Sequence, residues 1–502
     1  MRPSSLLAPL ALALPAAQAQ TLELKFGSNA GVVYGFGDEI AVEDGLALIE
    51  APVALYDLGS GQRLRTFAPV GADFGERYGA SIAMDDGLVV VGSEGPLDRS
   101  APGAVYVFDE ASGDQLHRLL PPSGLNEVTF GESIALDGGR IVVGSSSNED
   151  VGRDAGIAYV FDAATGQLLH ELRPPAGSRD LVFGRSVALD GTLALVGAPA
   201  FQTGPWAQEG RCYLFDASTG ALVRRIDPAF PGGDFYFGLE VELSTPYAIV
   251  SSIAPGVSTP GQVVVIDTAT GGEVHRLSDP APSFDDGFGS NVEAEGTRMV
   301  IGATRRTDIG RAYVYDLPSG ALEATIQQPD PSSGSNVFGA GVAVEGNTVV
   351  IGAQTHFFGF ANAGAAYVYS LDGLGEVTCT QAPNSTGNRA RIAVAGSASL
   401  SNQDLRLRAN DVPPFQPGLF FSGTQPAALP LGNGTLCIGG ALTRLSAPTF
   451  EVAGTITHAV DFGGTGAALV AGSVYFQAWY RDGFAGGAGS DVSDAVRVTL
   501  TP

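Results

Sequence analysis

The chain has 502 residues, of which 69 are Gly, 31 are Pro, 44% are hydrophobic and only 16% are charged. That balance supports a large apolar core and excludes global disorder. Asp and Glu outnumber Lys and Arg by 53 to 27, a net charge of −26, and so acidic a chain repels the phosphates that supply most nucleic-acid affinity.

Residues 1–19 read as a signal peptide: Arg2 supplies positive charge, Leu6 to Ala16 is the apolar run, and Ala17-Gln18-Ala19 offers the small residues a signal peptidase requires. No later apolar stretch reaches the roughly 18 residues of a spanning helix. A secreted or cell-surface protein with no transmembrane segment in its mature chain is therefore expected. Thr21 to Phe26 is strand-like and precedes any repeat.

From there to residue 375 the chain repeats. Phe-Gly or Tyr-Gly recurs at Phe36, Tyr78, Phe130, Phe183, Phe237, Phe288 and Phe338. Between these marks, β-branched runs of about five residues broken by tight turns predict four short strands per unit. An acid lies seven residues after the aromatic in six units (Glu43, Asp85, Asp137, Asp190, Glu295, Glu345), with Gly next or next but one, as a tight hairpin requires. A second acid (Asp57, Asp109, Asp162, Asp216, Asp267, Asp316) stands four residues before a Gly, where it can cap the turn between third and fourth strands. Acids demanded once per unit are structural rather than catalytic. Four strands repeated seven times predict a propeller, closed by Thr21 to Phe26 as the missing fourth strand of the last unit, with Glu376 to Thr380 as the rival.

The pairing of the FG start with VGAP at Val196 to Pro199, and with IGA at Ile301 to Ala303 and Ile351 to Ala353, resembles the FG-GAP repeat of integrin α-chain propellers and their bacterial relatives. The resemblance implies the fold and not the ligand, because one fold carries many functions. It also implies calcium in some blades, held by DxDxDG loops. Those loops are absent here, the connection having shrunk to forms such as LDG and VEGN, so no cofactor is expected.

Catalytic constellations are scarce. His117, His170 and His275 each fall eight residues after the turn Asp of their unit and are expected on outer strands. His356 and His458 are far apart in sequence, and no HExxH, GxSxG, P-loop or dinucleotide-binding glycine pattern occurs. The variable connections, between second and third strands and between units, should emerge together on one face of the propeller, where recognition usually sits. Within them Phe201, Trp206, Arg305, Arg306, His356, Phe357, Phe358 and Phe360 are the candidate ligand-binding residues, aromatics and Arg being the types enriched at hot spots.

Residues 376–502 are nearly charge-balanced and alternate short β runs with Gly, Pro and Ser turns, which predicts an antiparallel β-sandwich. The segments at Pro383 to Gly387, Leu429 to Gly440 and Phe476 to Asp482 resemble a C-terminal module of secreted bacterial repeat proteins. Of three cysteines, Cys379 and Cys437 fall in this part and are expected to pair, secretion favouring a disulfide. Cys212, in an apolar strand of the fourth unit, is expected to be a buried free thiol.

The expected fold class is thus all-β: a seven-bladed propeller at 20–375 followed by a sandwich at 376–502. The expected function is a secreted, monomeric, non-enzymatic scaffold for an extracellular protein or polysaccharide. The alternatives are a polysaccharide-degrading lyase or hydrolase and a purely structural envelope protein.

Overall fold

A computed structural model describes residues 21–500, apart from connecting stretches that include 28–35, 149–154, 230–235, 254–260, 305–309, 329–335, 356–363, 396–404 and 461–470. The expected signal peptide lies outside the described residues. Every regular element among them is a β-strand, and they contain no helix long and apolar enough to cross a membrane.

The repeats fold as seven four-stranded antiparallel sheets. The fourth, for example, comprises Val187–Asp190, Leu193–Ala198, Arg211–Asp216 and Ala221–Ile226 in that order. The first strand of each sheet touches the first strand of the next, and that of the seventh touches that of the first, so the sheets are blades in a closed ring. The seventh blade is completed by Thr21–Gly27, which pairs antiparallel with Ala365–Ser370. Glu376–Cys379, the rival, pairs instead with Ser490–Leu500.

The strands are continuous β-branched runs because both of their faces are buried. In the third blade Ile141, Val143, Tyr159 and Phe161 pack toward the second blade, while Val142, Ala158 and Val160 pack toward the fourth. One apolar cluster of this kind fills each of the seven seams, including the seam that joins the seventh blade to the first through Leu24, Ala343, Val350 and Val368. The unit-start phenylalanines are at most 1% exposed in these seams. The glycine that follows each one meets the backbone of the preceding blade: a methyl group on Gly144 would collide with the carbonyl oxygen of Gly184, and one on Gly352 with that of Gly37. The FG of one unit and the GA of the unit before it therefore form a single contact, and a side chain there would push the blades apart.

The chain after residue 376 forms a six-stranded sheet, a three-stranded sheet (Arg391–Ala395, Arg406–Asn410, Ile456–Ala459) and the hairpin Gln425–Leu431 with Gly434–Gly439. The two larger sheets share one core: Ile392, Leu407 and Ile456 from one meet Phe420, Phe476, Tyr480 and Val498 from the other. The Cys379–Cys437 disulfide ties Glu376–Cys379 to the hairpin, with Cα atoms 6.2 Å apart. Cys212 is free and completely buried, as expected. The three-stranded sheet abuts Thr21–Gly27, and the buried Arg408 donates from Nη2 to the Leu58 carbonyl at 2.9 Å.

Candidate functional site at the central channel and the loop face

The turn face of the ring is locked by two belts of side chains. In the inner belt each hairpin acid bonds the next hairpin. Glu43 accepts from Asp86 N–H at 2.9 Å, Asp85 from Gly138 N–H at 3.0 Å, Asp137 from Gly191 N–H at 2.5 Å, Asp190 from Thr245 N–H at 2.6 Å and Glu295 from Gly346 N–H at 2.7 Å. Glu345 accepts from the N–H groups of Asp44 and Gly45 and so joins the last blade to the first. The fifth blade has Ser244 in place of the acid, and its hydroxyl donates to the Gly296 carbonyl at 3.0 Å. The link survives with its polarity reversed.

The outer belt uses the periodic histidines. His117, His170 and His275 reach the carbonyl oxygens of Ala164, Ser218 and Pro318 at 2.9, 3.0 and 2.9 Å, each in the next blade's turn between third and fourth strands. Arg65 and Arg224 occupy the same position in the first and fourth blades and donate to Ala111 and Ala269. The turns they hold are capped as expected, with Asp109, Asp162, Asp216 and Asp267 accepting from backbone N–H groups at 2.7–2.8 Å. These histidines sit on outer strands, as the periodicity predicts, and work as clips between blades.

The opposite face carries the variable connections. In the fourth blade two classes of connection meet there: Asp180–Leu181, from the link between blades, pairs with Ala200–Gly204, from the link between second and third strands. Phe201 lies on that second strand, opposite Asp180. Trp206, Arg305, Arg306, His356, Phe357, Phe358 and Phe360 lie outside the described residues.

The channel along the ring axis is a feature that sequence reasoning missed. It is a cavity of about 620 Å³ lined by the innermost strands. Toward the loop face its wall carries Asp38, Glu39, Glu50, Glu132 and Glu240 beside Arg185, and Glu242 and Glu293 project lower down. All are partly exposed, to the channel. Burial holds these carboxyls protonated to unusually high pH. It raises Asp38 to about 6 against the bond from Gln354, and Glu50 to about 8 with help from the Asp38 charge. It raises Glu132 and Glu240 to about 7, the Arg185 guanidinium opposing the shift in both. Glu39, Glu242 and Glu293 are also pushed up, by burial first and by neighbouring carboxylates second. Such a wall can store protons, attract cations and repel polyanions. Among the described residues no three His, Cys, Asp or Glu side chains converge as a metal cluster.

A signal for part of this wall exists in the sequence. The fifth residue after the unit-start aromatic is Ala41, Ala83, Ala135, Ala188 and Ala343 in five units, but Glu242 and Glu293 in the other two. Aligning the units on their aromatics exposes that exception to the repeat.

The FG-GAP repeat family matches the chain at residues 114–161 and 322–369. No curated protein matches it. Each matched stretch runs from the fourth strand of one blade through the third strand of the next. The chain therefore carries FG-GAP repeats on an all-β fold of repeated four-stranded antiparallel sheets.

Proposed function

We propose that this protein is a secreted, non-enzymatic binding scaffold whose propeller, at 20–375, presents its ligand-binding loops on the face opposite the two belts. Residues 376–502 are a sandwich module packed beside it. The supporting observation is the asymmetry of the faces. One is locked hairpin to hairpin around the whole ring, whereas the other carries the connections that vary, elaborated at Phe201 into extra strands. A rigid ring with variable loops is a recognition platform. The expected ligand is an extracellular protein or polysaccharide, gripped by Phe201, Trp206, Arg305, Arg306, His356, Phe357, Phe358 and Phe360, and the blades take no cofactor. Arrays of extracellular glycans and proteins test this with the purified chain. The expected outcome is saturable binding without turnover, weakened by more than about 1 kcal/mol in each of Trp206→Ala and Arg306→Ala.

The second reading, a polysaccharide-degrading enzyme, draws on one observation. Glu132 and Glu240 titrate near 7 beside Arg185 where the channel meets the loop face, and a general acid in sugar hydrolysis needs such a raised carboxyl. Release of reducing ends from a polysaccharide panel, abolished by Glu132→Gln, would replace the first reading with this one.

A further inference from the structure

A second group of buried acids lies far from the channel, where Gly472–Arg481 and Ser490–Leu500 meet at the end of their hairpin. Tyr480 stands opposite Asp491 in the register of that pair. Asp482 continues the ladder, its N–H reaching the Gly489 carbonyl at 3.2 Å. Directly opposed residues share a face, as do residues two apart on one strand, so Asp482, Tyr480 and Asp491 project from the same side, with the two acids as diagonal neighbours.

Both acids are enclosed. Asp482 is completely buried and Asp491 is 4% exposed. Asp482 Oδ2 accepts from Ser385 N–H at 2.8 Å, while its Oδ1 is buried with no hydrogen-bond partner. Asp491 Oδ1 accepts from Val492 N–H at 2.8 Å. Among the described residues neither carboxylate forms an ion pair with a basic side chain. Burial raises the Asp491 carboxyl, and the nearby Asp482 charge raises it further. Asp494 adds a third negative charge within electrostatic reach of the Tyr480 hydroxyl. Enclosing charges of one sign is strongly unfavourable unless something neutralises them.

We propose that Asp482 and Asp491 bind a hard divalent cation, Ca²⁺, with Asp482 Oδ1 and the Asp491 carboxylate as anchoring ligands. Oxygen ligands without nitrogen or sulfur suit Ca²⁺, and backbone carbonyls and water complete its shell. Two carboxylates make a weak site, so the dissociation constant should fall at about 0.1–1 mM, the range of extracellular modules. The site is separate from the propeller hairpins.

The test uses the full chain, stripped with chelator and titrated with CaCl₂ to a few millimolar while heat of binding and thermal unfolding are followed. The expected result is saturable uptake with a rise in Tm, both lost in Asp482→Asn and in Asp491→Asn. Removing one buried charge also makes a specific demand: in chelator Asp482→Asn should melt above the parent chain, and in calcium below it. Undetectable binding at millimolar Ca²⁺ overturns the proposal, as does binding that the two substitutions leave intact. A variant destabilised equally with and without calcium also overturns it, because Asp482 would then act only through its bond to Ser385.

Discussion

His117 over Gly166 shows why the sequence repeats as it does. Gly166 has φ +69°, and a methyl group placed on it would lie 3.1 Å from the imidazole. The same pairing recurs with Arg65 over Gly113, His170 over Gly220, Arg224 over Gly271, His275 over Gly320 and, from the N-terminal strand, Leu24 over Gly61. Each turn glycine is therefore demanded twice, by its left-handed backbone and by the side chain above it. Gly191 separates the two demands, since it has φ +60° with open space around it. Gly191→Ala should cost about 1 kcal/mol from backbone strain alone. Gly166→Ala must also displace the histidine clip and should cost about 2–3 kcal/mol. Denaturant midpoints of the two variants check the difference, and equal costs would remove the clip from the account. The sequence displays this spacing openly, but it does not say that Asp137 or Glu345 reaches into the neighbouring hairpin. A local pattern shows a turn acid, whereas its partner lies about one unit away along the chain, or 301 residues away for Glu345.

The strand Thr21–Gly27 is the element on which closure of the ring depends. The family's repeat begins at a fourth strand and ends at a third, out of phase with the blade by one strand. Counted that way, residues 21–370 are seven whole repeats, and the first begins with the strand that finishes the last blade. Removing residues 21–27 should expose the edge of Ala365–Ser370 and take Leu24 out of the seam with the first blade. Open strand edges recruit other chains, so the truncated protein should elute on size-exclusion chromatography as a larger assembly than the intact one. The disulfide acts at the same scale in the C-terminal sheets. It closes a separation of 58 residues, worth about 4 kcal/mol on the chain-entropy account. Cys379→Ser with Cys437→Ser should lower the unfolding transition of those sheets and leave the propeller's intact. Cys212, whose thiol burial pushes well up, should resist alkylation until the propeller unfolds. Blade number, ring closure and cysteine pairing were legible because each rests on repetition or on a count. The channel acids were not, because Glu39 and Glu240 become neighbours of an axis only once seven strands surround it.

The acid balance of the whole molecule sets how its stability depends on pH. The net charge of −26 opposes compaction near neutrality, and the channel concentrates part of it where water cannot fully screen it. Folding raises Asp38 to about 6, Glu132 and Glu240 to about 7 and Glu50 to about 8, whereas the unfolded chain titrates these groups near 4. Between those limits the native state holds more protons than the unfolded one, so stability must fall as pH rises. The contribution is fully present below about pH 4, declines from there while the folded carboxyls keep protons that the unfolded chain has released, and is gone once each folded carboxyl has ionised, by about pH 8. Each group contributes a slope of at most about 1.4 kcal/mol per pH unit. The turn caps act in the opposite direction. Asp109, Asp162, Asp216 and Asp267 are held below the usual carboxylate range by hydrogen bonds from Ser112, Thr165, Ser218 and Thr270, and their contribution is lost as pH falls below about 4. Thermal melts in chelator should therefore peak between about pH 4 and 6, with Tm several degrees lower at pH 8.5 than at pH 5.5. Neutralising one site of the wall isolates the cause: Glu240→Gln should flatten the alkaline limb and leave the acid limb unchanged. A stability curve that stays level from pH 5.5 to 8.5, or an alkaline limb unmoved by that substitution, would show that the channel carboxylates ionise in the folded ring much as they do in water.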